Sequence, residues 1–117
     1  MERTSFDHER LDVYRLAIDY VALVYPLAMG LTGASRSSRD QWLRAAQSIA
    51  LNIAEGNGKR SYKDRNRFLE IAGGSALECA AMHDVLGAWR LIDDSASLPG
   101  KTILLRLVAM LTKLIQR

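Results

Sequence analysis

Apolar residues recur at every third or fourth position through almost the whole chain, and only short polar breaks interrupt them. That spacing belongs to helices buried along one face, and no segment alternates as a half-buried strand would. The first helix is expected over 9–29. Leu11, Tyr14, Ile18, Val21 and Tyr25 form one apolar stripe, and Val13, Ala17, Tyr20, Val24 and Leu27 form a second beside it. Pro26 is expected to kink or end this helix near Tyr25, because proline lacks the N–H of the helical ladder. The run Gly30 to Ser37 reads as a loop, with two glycines and several hydroxyl residues.

A second helix is expected over 38–56, opened by a capping box of Ser38 and Gln41. Its buried face is Trp42, Ala45, Ala46, Ile49, Ala50 and Ile53, and Gly56 and Gly58 end it. The third is expected over 62–91, with Ser61 as N-cap and Asp64 at the third helical position. Phe68, Ile71, Ala72, Ser75, Cys79, Met82, Leu86 and Trp89 read as its inward stripe. Gly73 and Gly74, among alanines and Ser75, suggest a close crossing against the Ala46, Ala50 and Ala54 stripe, with a kink or break of the helix as the alternative. Asp93 to Ser97 reads as a polar turn. The fourth helix is expected over 99–115, with Pro99 in its first turn. Its polar strip is thin: Thr102, Arg106, Lys113 and Gln116. Four helices on short connections pack as an all-α, antiparallel up-down four-helix bundle in one domain spanning 1–117. The first and fourth helices are apolar around too much of their circumference for an isolated protomer, which points to a homo-oligomer.

At 117 residues the chain can bury a core without a staple, and its single cysteine, Cys79, excludes an intramolecular disulfide. A reducing, cytoplasmic location is the expectation. The start MERTSFDHER lacks the basic-then-apolar pattern of a secretory signal. The longest apolar run, Tyr20 to Leu31, is interrupted by Pro26 and Gly30 and is too short to span a membrane.

Charge is unevenly placed. From Arg36 to Arg67 there are eight basic and three acidic residues, so this segment carries +5 and the rest of the chain −2. Such asymmetry marks either an anionic partner or a solvated turn. The candidate anion or nucleic-acid patch is Arg44, Lys59, Arg60, Lys63, Arg65 and Arg67. Tyr62 lies among these residues, and a helix start at Ser61 offers free N–H groups.

Residues able to carry chemistry are few. A di-iron bundle needs paired Glu-x-x-His motifs, and there are none. Two histidines and one cysteine at unrelated positions do not make a zinc site. His8 falls in the N-terminal tail, and His83 reads as a partly buried, hydrogen-bonded histidine. Cys79 reads as a buried, inert thiol, and Asp93 and Asp94 as solvated carboxylates. The string Gly56 to Ser61 has the wrong glycine spacing for a phosphate loop. No cofactor, metal, catalytic residue or small-molecule substrate is therefore expected. Asn52, Glu55, Ser75 and Glu78 lie on or beside apolar faces and are expected to fix the register of the second and third helices.

Several motifs combine in one stretch. Arg44-Ala45-Ala46-Gln47-Ser48-Ile49 is followed by Asn52-Ile53-Ala54-Glu55-Gly56, Ser61, Phe68-Leu69-Glu70-Ile71-Ala72, Gly74-Ser75 and Glu78. With Leu11-Asp12-Val13-Tyr14 upstream and the Leu/Ile-rich last helix, this resembles the bacterial four-helix bundle proteins of the 23S rRNA intervening-sequence family. The resemblance implies an up-down bundle, a ring-shaped homo-oligomer (typically a pentamer) and no enzyme activity. A related branch comprises basic accessory proteins of diversity-generating retroelements, which implies contact with RNA or an RNA-bound protein. The chain departs from the pattern at Leu43 and Gly73, where relatives often carry basic residues, and in its first loop. Two readings follow: an oligomeric adaptor that touches RNA or an RNA-bound protein through the basic turn, or a purely structural, protein-binding oligomer.

Overall fold

The computed structural model describes residues 5–115. Among them lie four α-helices and no strand: α1 Asp12–Met29, α2 Arg36–Asn57, α3 Tyr62–Ala88 and α4 Asp94–Ile115. A short 3-10 turn, Asp7–Arg10, precedes α1. Each helix packs along two others: α1 and α3 both lie against α2 and α4, and α1 and α3, across the diagonal, reach each other only through side chains such as Tyr20 and His83. The start of α3 meets the end of α4, where Asn66 Nδ2 donates to the Ile115 carbonyl. The start of α2 meets the later half of α3, where Gln41 Nε2 donates to Glu78 Oε2. Neighbouring helices therefore run antiparallel, as the short connections require.

Where helix ends differ from the sequence expectation, hydrogen bonding is the cause, local at most ends and between helices at the start of α2. The first helix begins at Asp12 rather than Glu9, because residues 7–10 form the separate 3-10 turn. Pro26 neither ends nor shortens α1. It stands in the last turn on the exposed face, above the equally exposed Ala22, so the carbonyl it leaves unpaired faces water. The second helix starts at Arg36, and the Ser38–Gln41 box does not form, because Gln41 is committed to Glu78.

The fourth helix starts at Asp94, five residues before Pro99, and the expected polar turn is its first turn. Asp93 Oδ1 accepts from the Ala96 N–H and from Ser95 Oγ, both at 2.8 Å, which is an aspartate N-cap. The third helix stops at Ala88, short of Leu91. Arg90 takes a left-handed conformation (φ 59°), and Leu91 N–H returns to the Leu86 carbonyl at 2.9 Å in a Schellman closure. Gly58, expected in a left-handed cap, is right-handed. Gln116 lies outside the described residues.

The core is the inner stripe of each helix. In α1 the second stripe is buried (Val13, Ala17, Tyr20, Val24), while Ile18 and Tyr25 of the first face outward. In α2 all six expected residues are buried. In α3 the burial is rotated from the expected phase. Leu69, Ala76 and His83 turn inward with Ala72, Ser75, Cys79, Met82 and Leu86, whereas Phe68 is only half-buried and Ile71 and Trp89 are exposed. A helix wedged between two neighbours must present an arc to each, which a single stripe cannot do.

The close crossing of α2 and α3 is real but uses different residues. A Cβ at Gly56 would lie 3.0 Å from Phe68 Cβ and 3.1 Å from the Arg65 carbonyl, so any side chain there crowds α3. A Cβ at Gly73 or Gly74 would meet nothing within 4 Å. Gly56→Ala should therefore lower unfolding free energy by about 1–3 kcal/mol through overpacking against backbone. Gly73→Ala should raise it by up to about 1 kcal/mol through helix propensity. Urea denaturation of both variants against the parent checks the opposite signs.

Candidate nucleic-acid interface

The α2–α3 turn places most of the predicted cations at one end of the bundle. Gly56 lets the end of α2 lie close against the start of α3. Ser61 Oγ then accepts the Asp64 N–H at 3.1 Å and starts α3 directly. Lys59, Arg60, Lys63 and Arg67 are all exposed here. Lys59 pairs loosely with Glu55 at 3.9 Å, and no other ion pair forms among the described residues of this turn. The aromatic rings hold the cations in place. Lys59 Nζ lies 5.1 Å and the Arg67 guanidinium 4.7 Å from the Phe68 ring centre. Arg65 stands 5.8 Å over the Tyr62 ring and also reaches the Leu114 carbonyl at 3.5 Å. It is half-buried and serves the packing of α3 on α4. Arg44 is not part of the cluster. It lies fifteen positions before Lys59, about 22 Å along the axis of α2.

The four expected register residues are brought together only in part. Ser75 Oγ and Ser48 Oγ are 2.8 Å apart across α2 and α3, and Asn52 Nδ2 joins them through Ser48 Oγ at 3.0 Å. Glu78 reaches α2 at Gln41. Glu55 does not cross and faces Lys59 instead.

At the opposite end lies a buried cluster whose connection the residue spacing does not reveal. Trp42 Nε1 on α2 donates to Tyr20 Oη on α1 at 3.0 Å, and Tyr20 Oη lies 2.9 Å from His83 Nε2 on α3. His83 Nδ1 lies 3.1 Å from Ser97 Oγ on α4. One proton arrangement satisfies every member: Trp42 to Tyr20, Tyr20 to Nε2, and Nδ1–H to Ser97. Tyr20 and Trp42 were legible as core residues. Ser97 was hidden by its assignment to a turn, and the aspartate cap that rotates it inward is the signal that would have found it. Burial above all, with the Lys101 charge second, holds the imidazole below its ordinary value of 6.5. Burial likewise lifts the Tyr20 phenol far above its usual range and pushes the Cys79 thiol up to about 12.

A cleft of about 360 Å³ opens beside this cluster, between the end of α3 and the start of α4. His83, Asp84, Ser97 and Lys101 line it, and Lys101 Nζ pairs with Asp84 at 2.7 Å. Cys79 and Glu78 do not line it, so thiol, imidazole and carboxylate do not converge. Both imidazole nitrogens are engaged and the thiol is protonated at neutral pH, which leaves no free base beside a nucleophile. Among the described residues no group of three His, Cys, Asp or Glu side chains is placed to hold a metal ion. No helix among them is long and apolar enough to cross a membrane.

Four antiparallel helices, a cationic turn with one loose ion pair and a buried aromatic node define an all-α bundle of the kind the motifs suggest. The family model of the 23S rRNA-intervening sequence protein matches residues 9–113, and the chain belongs to that family. A crystal structure from Bacteroides thetaiotaomicron VPI-5482, described as a protein with unknown function from the S23 ribosomal protein family, has the same fold. It superposes with a TM-score of 0.83 at 20% identity, covering 90% of this chain and 99% of its own. A comparison with curated proteins returned no match.

A histidine kept neutral by burial makes stability depend on pH. Its folded-state value lies below the unfolded one, so the stabilisation is complete above the unfolded value near 6.5. It is lost as pH falls below that value, where the unfolded chain takes up a proton that the folded chain resists. The melting temperature should fall between pH 7 and 5. His83→Gln should be less stable at pH 7 but show a flatter profile over that interval, which thermal denaturation monitored by circular dichroism measures directly.

Proposed function

We propose that this protein is a non-enzymatic, self-associating bundle that acts as an adaptor, contacting the phosphate backbone of RNA through the α2–α3 turn. The observation that carries the reading is the exposure of Lys59, Arg60, Lys63 and Arg67 at one end of the bundle, with only Glu55 paired among them. Cations held apart from acidic partners release counterions on meeting a polyphosphate, which favours binding at low salt.

Self-association is supported by uncovered apolar side chains on two separate parts of the surface. Ile18, Tyr25 and Met29 project from α1, while Leu77 (60% exposed) and Leu105 (74%) flank a groove of about 320 Å³ between α3 and α4. Two different apolar faces on one protomer favour head-to-tail contacts, and such contacts close into rings when the rotation permits. A homo-pentameric ring is the assembly this reading adopts. It would repeat the basic turn five times and multiply a weak affinity. The same apolar faces favour a second reading, in which the assembly binds only protein.

Light scattering behind size exclusion, with and without total bacterial RNA, separates the two. The RNA reading expects a mass near five protomers of 13.0 kDa that shifts and carries 260 nm absorbance when RNA is added. The double variant Arg60→Glu, Arg67→Glu should keep the mass and lose RNA retention. Retention in that variant removes the turn as the contact, and a ring without any RNA shift leaves the protein-only reading. A monomer eliminates the self-association claim.

A further inference from the structure

We infer that the ligand of the basic turn is unpaired RNA, with a base stacked on Tyr62 and the flanking phosphates held by Arg60 and Lys63. This rests on the RNA reading above and narrows it from nucleic acid in general to single strands. The two aromatic residues of the turn are used differently. Phe68 is half-buried and attended by two cations, Lys59 and Arg67, so it serves to place charge. Tyr62 is 67% exposed, and a single cation, Arg65, lies over its ring. A large, open aromatic face amid cations is what a nucleobase stacks on, whatever the base, while the backbone is tracked by charge.

The platform is also fixed before binding. Tyr62 is the first residue of α3, set by the Ser61 cap. The next turn of that helix is tied to the end of α4, through Arg65 to the Leu114 carbonyl and Asn66 to the Ile115 carbonyl. Arg65 is thereby held over the ring rather than left to solvent. A platform ordered in advance loses little conformational freedom when a base arrives. Arg60 precedes Tyr62 by two residues and Lys63 follows it, both exposed, so cations lie on either side of the ring along the chain. In a duplex the base faces are stacked on one another and only the phosphates are offered. Tyr62 then adds nothing, and the turn is left with charge alone.

Fluorescence anisotropy with three labelled probes of twelve nucleotides tests this: oligouridine, an RNA duplex, and an abasic single strand. The unmodified protein should bind oligouridine at least roughly ten-fold more tightly than the abasic strand, in keeping with base–aromatic stacking. Tyr62→Ala should remove that difference and leave duplex binding within about two-fold, whereas Tyr62→Phe should retain it. Arg60→Glu with Lys63→Glu should weaken all three probes. If oligouridine binding is unaffected by Tyr62→Ala, or the abasic strand binds equally well, the stacking inference fails while the RNA reading stands. If no probe binds, or the charge reversals change nothing, the RNA reading itself fails.

Discussion

The hydrogen-bonded chain Trp42–Tyr20–His83–Ser97 takes one side chain from each helix, and the rest of the bundle is arranged to permit it. Buried polar groups are tolerated only when every donor and acceptor finds a partner, and a partly satisfied network is worse than an apolar core. Here the requirement acts on all four helices at once. The imidazole also packs edge-on against the Trp42 ring, with centres 5.2 Å apart. A slide of any helix by one residue would break at least one link. Gly100 completes the arrangement, because a Cβ there would come within 2.8 Å of His83 Cε1. This end of the molecule is thus specified by polar geometry. The apolar stripes alone would accept several registers.

The two ends of the bundle consequently have different characters. At the His83 end, polar groups are buried and used up. At the turn between α2 and α3, charges are exposed and held by aromatic rings, and Arg65 and Asn66 tie the start of α3 to carbonyls at the end of α4. The helix pair that joins the ends, α2 and α3, makes the most extensive contact in the molecule, with Gly56 allowing backbone to approach side chain directly. The Asn52 to Gly56 motif is therefore largely a packing motif. Ile53 fills the core, Gly56 admits α3, and Asn52 ties back to Ser48 beside the Ser75 contact. Its distinctiveness in the sequence reflects the geometry of one helix crossing.

Sequence periodicity determined four helices, the whole buried face of α2, the Ser61 cap and the cationic turn, because each depends on residues close together along the chain. The family could be recognised for the same reason, since its motifs lie within one continuous stretch. The ends of α1, α3 and α4 rest on local hydrogen bonds that hydrophobic periodicity does not report, whereas the start of α2, the rotation of α3 and the role of Ser97 were decided by tertiary structure. These last depend on what a residue meets once neighbours are present, as when Gln41 bonds Glu78 in place of a capping box. The joining of Tyr20, Trp42, His83 and Ser97, spread across 78 positions of chain, belongs to the tertiary structure for the plainest reason. Spacing along a helix says which face a residue is on, and only packing says which face it meets.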